Sequence, residues 1–309
     1  MEIRRIRIIC VPSGLCLGRY LTNMGDYMMI ISNSAIPITD LGDICVLADR
    51  HTLTVQSWLP TRTPQAARYE GVGVTACSSG IPVALLNLAL GAHFPPESDT
   101  SQIDAEIEAV KAFFAARGVP WYWWVGPTAC PSAADFGSQL ERHGLICDRD
   151  PLPAMVARLP TRFPVIPPYI RVWQATSRRD LETASTIRRV AFRFPEGTAL
   201  DYFESMADDW LRGDPARLYL AAIEDGPPAA IGALIVDHQK GIPGVYVMAT
   251  LPAQQRNGLG KAIMARILTT ATEEGHTIIV LTAGKQGYPL YRQFGFERVF
   301  DYALYRMPT

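Results

Sequence analysis

The sequence has neither a long apolar run nor an excess of charge of one sign. Its longest apolar stretch, residues 81–90, is interrupted by Asn87, whereas a membrane-spanning helix needs about 18 or more apolar residues in succession. Lysine and arginine total 29 against 30 aspartates and glutamates, which gives a net charge of −1. A nucleic-acid-binding protein typically carries a basic excess. We therefore expect no membrane and no nucleic acid among the partners of this chain.

The cysteines show no metal-binding spacing. No pair is spaced as Cys-x-x-Cys, and no histidine neighbours a cysteine at the spacing of a zinc site. Scattered thiols in a chain of this length are typical of a reducing cytoplasm, where they are buried as small apolar groups. We therefore expect a cytoplasmic protein with no bound metal. The six cysteines all lie in the first half of the chain, at positions 10, 16, 45, 77, 130 and 147.

The pattern of predicted elements repeats along the 309 residues, a length that suits two domains. The first half predicts helix, two strands, helix, strand, helix and strand, at residues 36–59, 71–77, 83–90, 99–118, 121–125, 131–143 and 155–159. The second half predicts two helices, three strands, helix, strand, helix and strand, at residues 181–193, 200–211, 218–223, 230–237, 245–250, 259–275, 277–282, 287–296 and 300–307. The proline-rich residues 161–168 predict a stiff linker between two related domains, 24–160 and 169–309.

The most informative segment is residues 251–261, which join a predicted strand to a predicted helix. Gly258 and Gly260 carry no side chain, so backbone N–H groups there can approach a ligand closely. The start of a helix also directs unpaired N–H groups and the positive end of its dipole outward, which favours phosphate. The spacing matches neither a nucleotide P-loop nor a dinucleotide fingerprint.

Gln255, Gly258 and Gly260 match the pattern Gln/Arg-x-x-Gly-x-Gly/Ala, and this segment resembles the pyrophosphate loop of the GNAT superfamily of acetyl-CoA-dependent N-acyltransferases. A second resemblance lies about thirty residues later, where Tyr291 precedes Gly295-Phe296 on a short helix. The two motifs together imply an α/β (α+β) protein with two GNAT-like domains. Each would be a mixed, mostly antiparallel sheet flanked by helices.

The resemblance implies a set of site residues. Acetyl-CoA as co-substrate would be held by Gln255, Arg256, Asn257, Gly258, Leu259, Gly260 and Lys261. A bulge at Val247, Met248 and Ala249 would offer a backbone N–H to the thioester oxygen. Tyr291 matches the family's general acid, which protonates the leaving thiolate. Many family members carry a glutamate base on the strand before the loop, but residues 245–250 contain no acid. Asp237 and His238 are candidates for that role, as are Tyr246 or a water.

The first half lacks the loop motif. Residues 93–100, before its predicted helix, contain no Gln-x-x-Gly-x-Gly. Asp99 and the acids of the following helix have the wrong sign for a pyrophosphate. Glu141 stands where Tyr291 stands in the second half. We therefore expect one acyl-CoA site per chain, with the first half a degenerate copy that acts as scaffold and as a possible wall of the acceptor pocket.

These features predict an N-acetyltransferase that acts on a primary amine in a ternary complex, the acceptor being a small molecule or a peptide. Two alternatives remain at this stage: a catalytically silent acyl-CoA-binding or regulatory module, and a pseudo-dimeric scaffold for a protein partner. The internal duplication suits either a monomer or a homodimer. Residues 1–23 are expected to be an extension, with Met24 as a reasonable start.

Overall fold

The computed structural model describes residues 41–237 and 241–308, which belong to the compact unit Asp40–Thr309. The expected extension 1–23, Met24 and His238 lie outside the described residues. The first half contains helices α1–α3 and strands β1–β6. In chain order these are α1 (Leu41–Trp58), β1 (Ala67–Glu70), β2 (Val74–Ser78), β3 (Asn87–Gly91), α2 (Thr100–Ala115), β4 (Tyr122–Val125), α3 (Ala133–Arg142), β5 (Ile146–Cys147) and β6 (Leu152–Arg158).

The second half contains helices α4–α8 and strands β7–β12. In chain order these are β7 (Ile170–Gln174), α4 (Arg178–Ala191), α5 (Tyr202–Ser205), α6 (Ala207–Arg212), β8 (Ala216–Ile223), β9 (Ala230–Asp237), β10 (Ile242–Thr250), α7 (Leu259–Glu273), β11 (Ile278–Thr282), α8 (Tyr288–Gln293) and β12 (Glu297–Arg306). The mixed sheet flanked by helices confirms the predicted fold class.

Two of the predicted elements differ in kind from the structure, and strands β1, β5 and β7 were not predicted. The strand predicted at residues 83–90 is wrong in its first part, where Ala84–Leu86 form a 3₁₀ turn. The buried Asn87 amide donates to the carbonyls of Ile81 and Val83, at 2.8 and 3.0 Å, and so fixes the chain as a turn. The helix predicted at residues 200–211 is two helices, α5 and α6, because the backbone leaves the helical conformation at Met206 (φ −106°, ψ 20°).

The last strand of each half completes the sheet of the other half. In the described residues the strand order is β1-β2-β3-β4-β12-β6-β11-β10-β9-β8-β7, with β5 also paired to β12. The second half's β12 is therefore antiparallel to β4, and the first half's β6 is antiparallel to β11. The two halves thus share one continuous sheet. The division of the chain into two domains by a linker at residues 161–168 remains a prediction.

Helices cover both faces of this sheet. In the second half α7 packs on one face, in a core that includes Ile263, Ile267 and Tyr291. Helices α4–α6 pack on the opposite face, in a core that includes Trp210 and Tyr246. Helix α1 lies across the middle of the sheet and contacts strands of both halves. The structure thereby places first-half side chains against β10, the strand that precedes the glycine loop.

Candidate functional site

Strand β10 carries a bulge at the predicted positions. Its antiparallel pairing with β9 runs from Ile242 to Tyr246, shifts register, and resumes at Ala249. Val247 lies in the left-handed region at φ 57°, a conformation that a β-branched residue adopts at a cost. A bulge turns backbone groups away from the ladder. Its strain marks this point of the sheet as a candidate site.

Strand β10 also parts from its parallel neighbour β11 before the bulge. The register between these two strands is confined to Gly244 opposite Val280. The following residues of β10 diverge toward the 3₁₀ turn Pro252–Gln254 and the glycine loop. Because the register with β11 ends before the bulge, an extended ligand can lie beside β10 at this point.

The N-terminus of α7 is left uncapped by side chains. Gly258 is the N-cap residue with φ 89°, and as a glycine it has no side chain that could cap the first turn. The first backbone bond of the helix runs from the Ala262 N–H to the Gly258 oxygen at 2.9 Å. The N–H groups of Leu259, Gly260 and Lys261 precede that bond, so they lack acceptors within the helix. Such N–H groups favour an anion, and Arg256 and Lys261 add positive charge to the same stretch of the sequence.

Two predicted ligands of the loop also brace it. The Gln255 side chain donates to the Thr250 carbonyl at 3.4 Å, and Asn257 donates to the Gln254 side chain at 3.1 Å. Both residues are exposed. A Cβ added at Gly260 would lie 3.5 Å from Leu290 of α8, so α8 adjoins the start of α7. The helix that carries Tyr291 is therefore a neighbour of the loop.

Tyr291 is buried on α8. Its ring stands edge-on to Phe296 at 6.1 Å between centroids and lies against Gly287, where a side chain would collide with it. Burial raises the pKa of Tyr291 to about 12, so the phenol is protonated at neutral pH. It can donate a hydrogen bond but is a weaker acid than a free tyrosine.

Asp237 ends β9 and is buried on the same face as Tyr246. The register pairs Asp237 with Ile242 and Ala233 with Tyr246, and alternate residues of a strand share a face. Burial and, to a smaller extent, the charge of Asp237 raise the pKa of Tyr246 far above its ordinary value. Tyr291 belongs to the core of the opposite face. The described contacts therefore do not bring Asp237 and Tyr291 together.

His51 of α1 lies against strand β10 of the candidate site and was not predicted from the sequence. Its ring is fully buried, lies 5.8 Å from the Tyr246 ring, and occupies the space that a side chain at Gly244 would need. Burial lowers the pKa of His51 to about 3. Neither ring nitrogen has a hydrogen-bond partner in the part of the chain that the structure describes. The signal available in the sequence was the pair of adjacent polar residues His51 and Thr52 inside a predicted helix. The structure buries both side chains.

The corresponding region of the first half is closed. Strands β3 and β4 pair in parallel as far as Leu90 and Trp124. Beyond them, the Cys130 N–H donates to the Ala92 oxygen at 2.6 Å and the Phe94 N–H donates to the Cys130 oxygen at 2.9 Å. These bonds hold the two chain segments together where β10 and β11 part.

The N-terminus of α2 is also occupied. The Asp99 carboxylate accepts from the Gln102 N–H at 2.8 Å, and the Gln102 side chain accepts from the Asp99 N–H at 3.0 Å. This capping box places a negative charge where α7 has a bare glycine. A phosphate would meet repulsion there instead of free donors.

Two further searches of the described residues concern other partners. No described helix has both the length and the apolar composition needed to cross a membrane. Within residues 41–237 and 241–308, no group of three or more histidines, cysteines or acids is placed to hold a metal ion.

Comparison with known proteins identifies the family of this region. Residues 181–296 match the Acetyltransferase (GNAT) family. No curated protein matches the chain by sequence.

Solved structures resemble the chain over both halves. A GCN5-related N-acetyltransferase from Kribbella flavida is 20% identical, with a TM-score of 0.62, over 84% of this chain and 96% of that one. A tandem GNAT protein from the clavulanic acid biosynthesis pathway is 15% identical, with a TM-score of 0.58, over 87% of this chain and 95% of that one. A GCN5-related N-acetyltransferase from Sphaerobacter thermophilus is 16% identical, with a TM-score of 0.57, over 76% of each chain.

At these identities the likeness is one of fold, and it covers the tandem arrangement. The motifs at residues 255–261 and 291–296 lie inside the segment that the family matches by sequence. Residues 181–296 are therefore a domain of the acetyltransferase (GNAT) family.

Proposed function

We propose that this chain is an N-acetyltransferase that transfers the acetyl group of acetyl-CoA to a primary amine by direct attack in a ternary complex. The observation that carries the proposal is the uncapped α7 N-terminus, placed directly after a strand that parts from its neighbour at a bulge. An anion-binding helix end and a row of free strand groups suit the two parts of acetyl-CoA, its pyrophosphate and its pantetheine.

The residues present fit the co-substrate. Gly258 and Gly260 leave the N–H groups of the first turn accessible, and Lys261 and Arg256 supply positive charge beside them. The backbone of Val247–Ala249, turned out of the ladder, supplies an N–H for the thioester oxygen as negative charge develops there. Acetyl-CoA supplies the activated acyl group, and the chain's part is to position it and stabilise that charge.

Tyr291 is proposed to donate its hydroxyl proton to the leaving thiolate. Against an ordinary thiol of pKa about 8.5, a phenol of pKa about 12 would make the transfer uphill by several kcal/mol. Burial raises the pKa of a thiol as well, as it raises that of Cys77 to about 11. We propose that the leaving thiolate is desolvated in the same way and becomes a comparably strong base. The transfer from Tyr291 is then nearly balanced.

The amine must be neutral to attack, and β10 offers no acid for this step. Asp237 and His51 are the described candidates on the face of Tyr246, and His238 remains a candidate from the sequence. The low pKa of His51 makes it a hydrogen-bond acceptor at neutral pH and a weak base. Orientation of an amine that is already deprotonated supplies much of the rate in such a complex.

The test is release of free CoA thiol from acetyl-CoA by the full-length protein, with a panel of primary amines and a no-amine control. The proposal expects amine-dependent release and initial-velocity lines that intersect, as a ternary complex requires. Acetyl-CoA binding without release for any amine would instead indicate the silent module. The absence of acetyl-CoA binding would exclude the enzyme hypothesis and leave the hypothesis of a scaffold for a protein partner.

A further inference from the structure

The first half contains an open cleft of about 380 Å³ on the sheet face that α1 covers. A row of paired residues, Glu70 on β1, Thr75 on β2 and Leu90 on β3, crosses its floor. Helix α1 contributes Leu53, Thr54 and Ser57, and His93 follows β3. All lining residues belong to the first half, so the cleft is separate from the glycine loop of the second half.

A chain of hydrogen bonds fixes the proton position on His93. Asp49 is almost fully buried. It accepts from the Tyr302 hydroxyl at 2.6 Å and from the Thr128 hydroxyl. Because Thr128 gives its one hydroxyl proton to Asp49, its oxygen must accept from His93 Nε2, at 2.6 Å. The proton of a neutral His93 is therefore on Nε2, and Nδ1 carries a free lone pair.

The lone pair of His93 Nδ1 is presented beside Gly91, a residue that lines the cleft. A Cβ on Gly91 would lie 3.2 Å from Nδ1, and Gly91 has a φ of 85° that favours glycine. Desolvation of the ring lowers the pKa of His93, Asp49 opposes this effect and Arg50 adds to it. The neutral ring thus carries an acceptor, Nδ1, next to Gly91 at the edge of the cleft.

The charges around the cleft favour a cation. Glu70 lies in the floor, where it accepts from the Thr75 hydroxyl at 2.8 Å and pairs with Arg68. Glu106 braces the adjacent turn by accepting from the Val72 N–H at 3.0 Å. Glu70, which is paired with Arg68, lines the cleft itself, whereas Glu106 and Asp49 lie behind its lining residues. These carboxylates favour a cation over an anion.

We propose that this cleft binds a small primary amine in its ammonium form, which donates hydrogen bonds to His93 Nδ1 and to the Glu70 carboxylate. Its volume lies at the small end of the range for small-molecule pockets. The hydroxyls of Thr54, Ser57 and Thr75 provide further polar contacts at its wall. The site does not depend on acetyl transfer in the second half.

The test is calorimetric titration of the full-length protein with 1,4-diaminobutane, alongside 1,4-butanediol and succinate as neutral and anionic probes of similar length. We expect the diamine to bind at least tenfold more tightly than the diol, and succinate to show no binding. His93→Phe and Glu70→Gln should each lower the affinity for the diamine at least tenfold. Glu97→Gln, which removes the same charge from an exposed residue outside the cleft, should leave its affinity unchanged.

Nitrogen NMR of the His93 ring gives an independent readout. The free protein should show a protonated Nε2 and an unprotonated Nδ1, and the diamine should shift Nδ1 more than Nε2. Absence of diamine binding, equal binding of the diol, or unchanged affinity in Glu70→Gln and His93→Phe would overturn the proposal. Glu70→Gln lies on an edge strand with a half-exposed side chain, so it should fold even if His93→Phe does not.

Discussion

Two glycines of the α7 loop should respond differently to alanine, both in stability and in ligand binding. Gly258 has a φ of 89°, where an alanine costs about 1–2 kcal/mol. Its Cβ would also press to 3.0 Å from Ile170. Gly260 is helical, and its Cβ would meet only ordinary contacts, at 3.5 and 3.7 Å. Alanine there should stabilise the helix by about 0.5–1 kcal/mol.

A change of about 1 kcal/mol in the free energy of unfolding moves the Tm of a domain of roughly this size by about 2–4 °C. Gly258→Ala should therefore lower the Tm by about 2–8 °C, and Gly260→Ala should raise it by about 1–4 °C. Gly258→Ala should weaken acetyl-CoA binding at least tenfold, or about 1.4 kcal/mol, because the strained alanine disturbs the N–H groups of the first turn. Gly260→Ala should bind acetyl-CoA nearly as tightly as the unchanged protein, because the motif accepts alanine at that position and its Cβ meets only ordinary contacts.

The assay combines thermal unfolding without ligand and calorimetric titration with acetyl-CoA. Gly260→Ala is the matched control, and adding it to Gly258→Ala should recover part of the lost stability without restoring acetyl-CoA binding. A Gly258→Ala protein that binds acetyl-CoA as tightly as the unchanged protein would refute the role given to the first turn of α7.

Three further predictions follow from the site and its surroundings. Tyr291→Phe should lower kcat by about 10²-fold or more with little change in the KM for acetyl-CoA; equal loss in both would indicate a packing role instead. Lys261→Gln should weaken acetyl-CoA binding more at low salt than at high salt. Arg266→Gln, which removes an exposed charge further along α7, should leave acetyl-CoA binding unchanged at both. Partial burial lowers the pKa of His143, but hydrogen bonds to the carboxylates of Asp104 and Glu108 raise it by more, so the pKa lies above its ordinary value. The resulting stabilisation is complete below the ordinary histidine pKa and is lost as pH rises through the raised value. The Tm difference between the unchanged protein and His143→Gln should shrink over that window.

The sequence was sufficient for the local features of the site. The glycines of the loop, the strand before it and the helix after it are set by residues close together in the chain, and the structure has them where the spacing predicts. The contrast between the halves was also predictable. A carboxylate at Asp99 caps its own helix, whereas Gly258 has no side chain to do so.

The shared sheet and the buried polar residues were not predictable in the same way. The strands β1, β5 and β7 were missed because they are short or lie in exposed, proline-flanked segments. The exchange of β6 and β12 joins strands that are far apart in sequence, and no local pattern records such pairing. His51 meets Tyr246, and Asp49 meets Tyr302, only because α1 crosses the sheet at that exchange.

The central claim is that each chain holds one acyl-CoA site, at the start of α7. The most direct test is calorimetric titration of acetyl-CoA into the full-length protein and into the Gly258→Trp/Gly260→Trp variant. The account predicts about one acetyl-CoA per chain, and no binding in the variant. Two per chain, or binding that survives in the variant, would contradict it, because the closed first half would then also bind or the loop would not be the site.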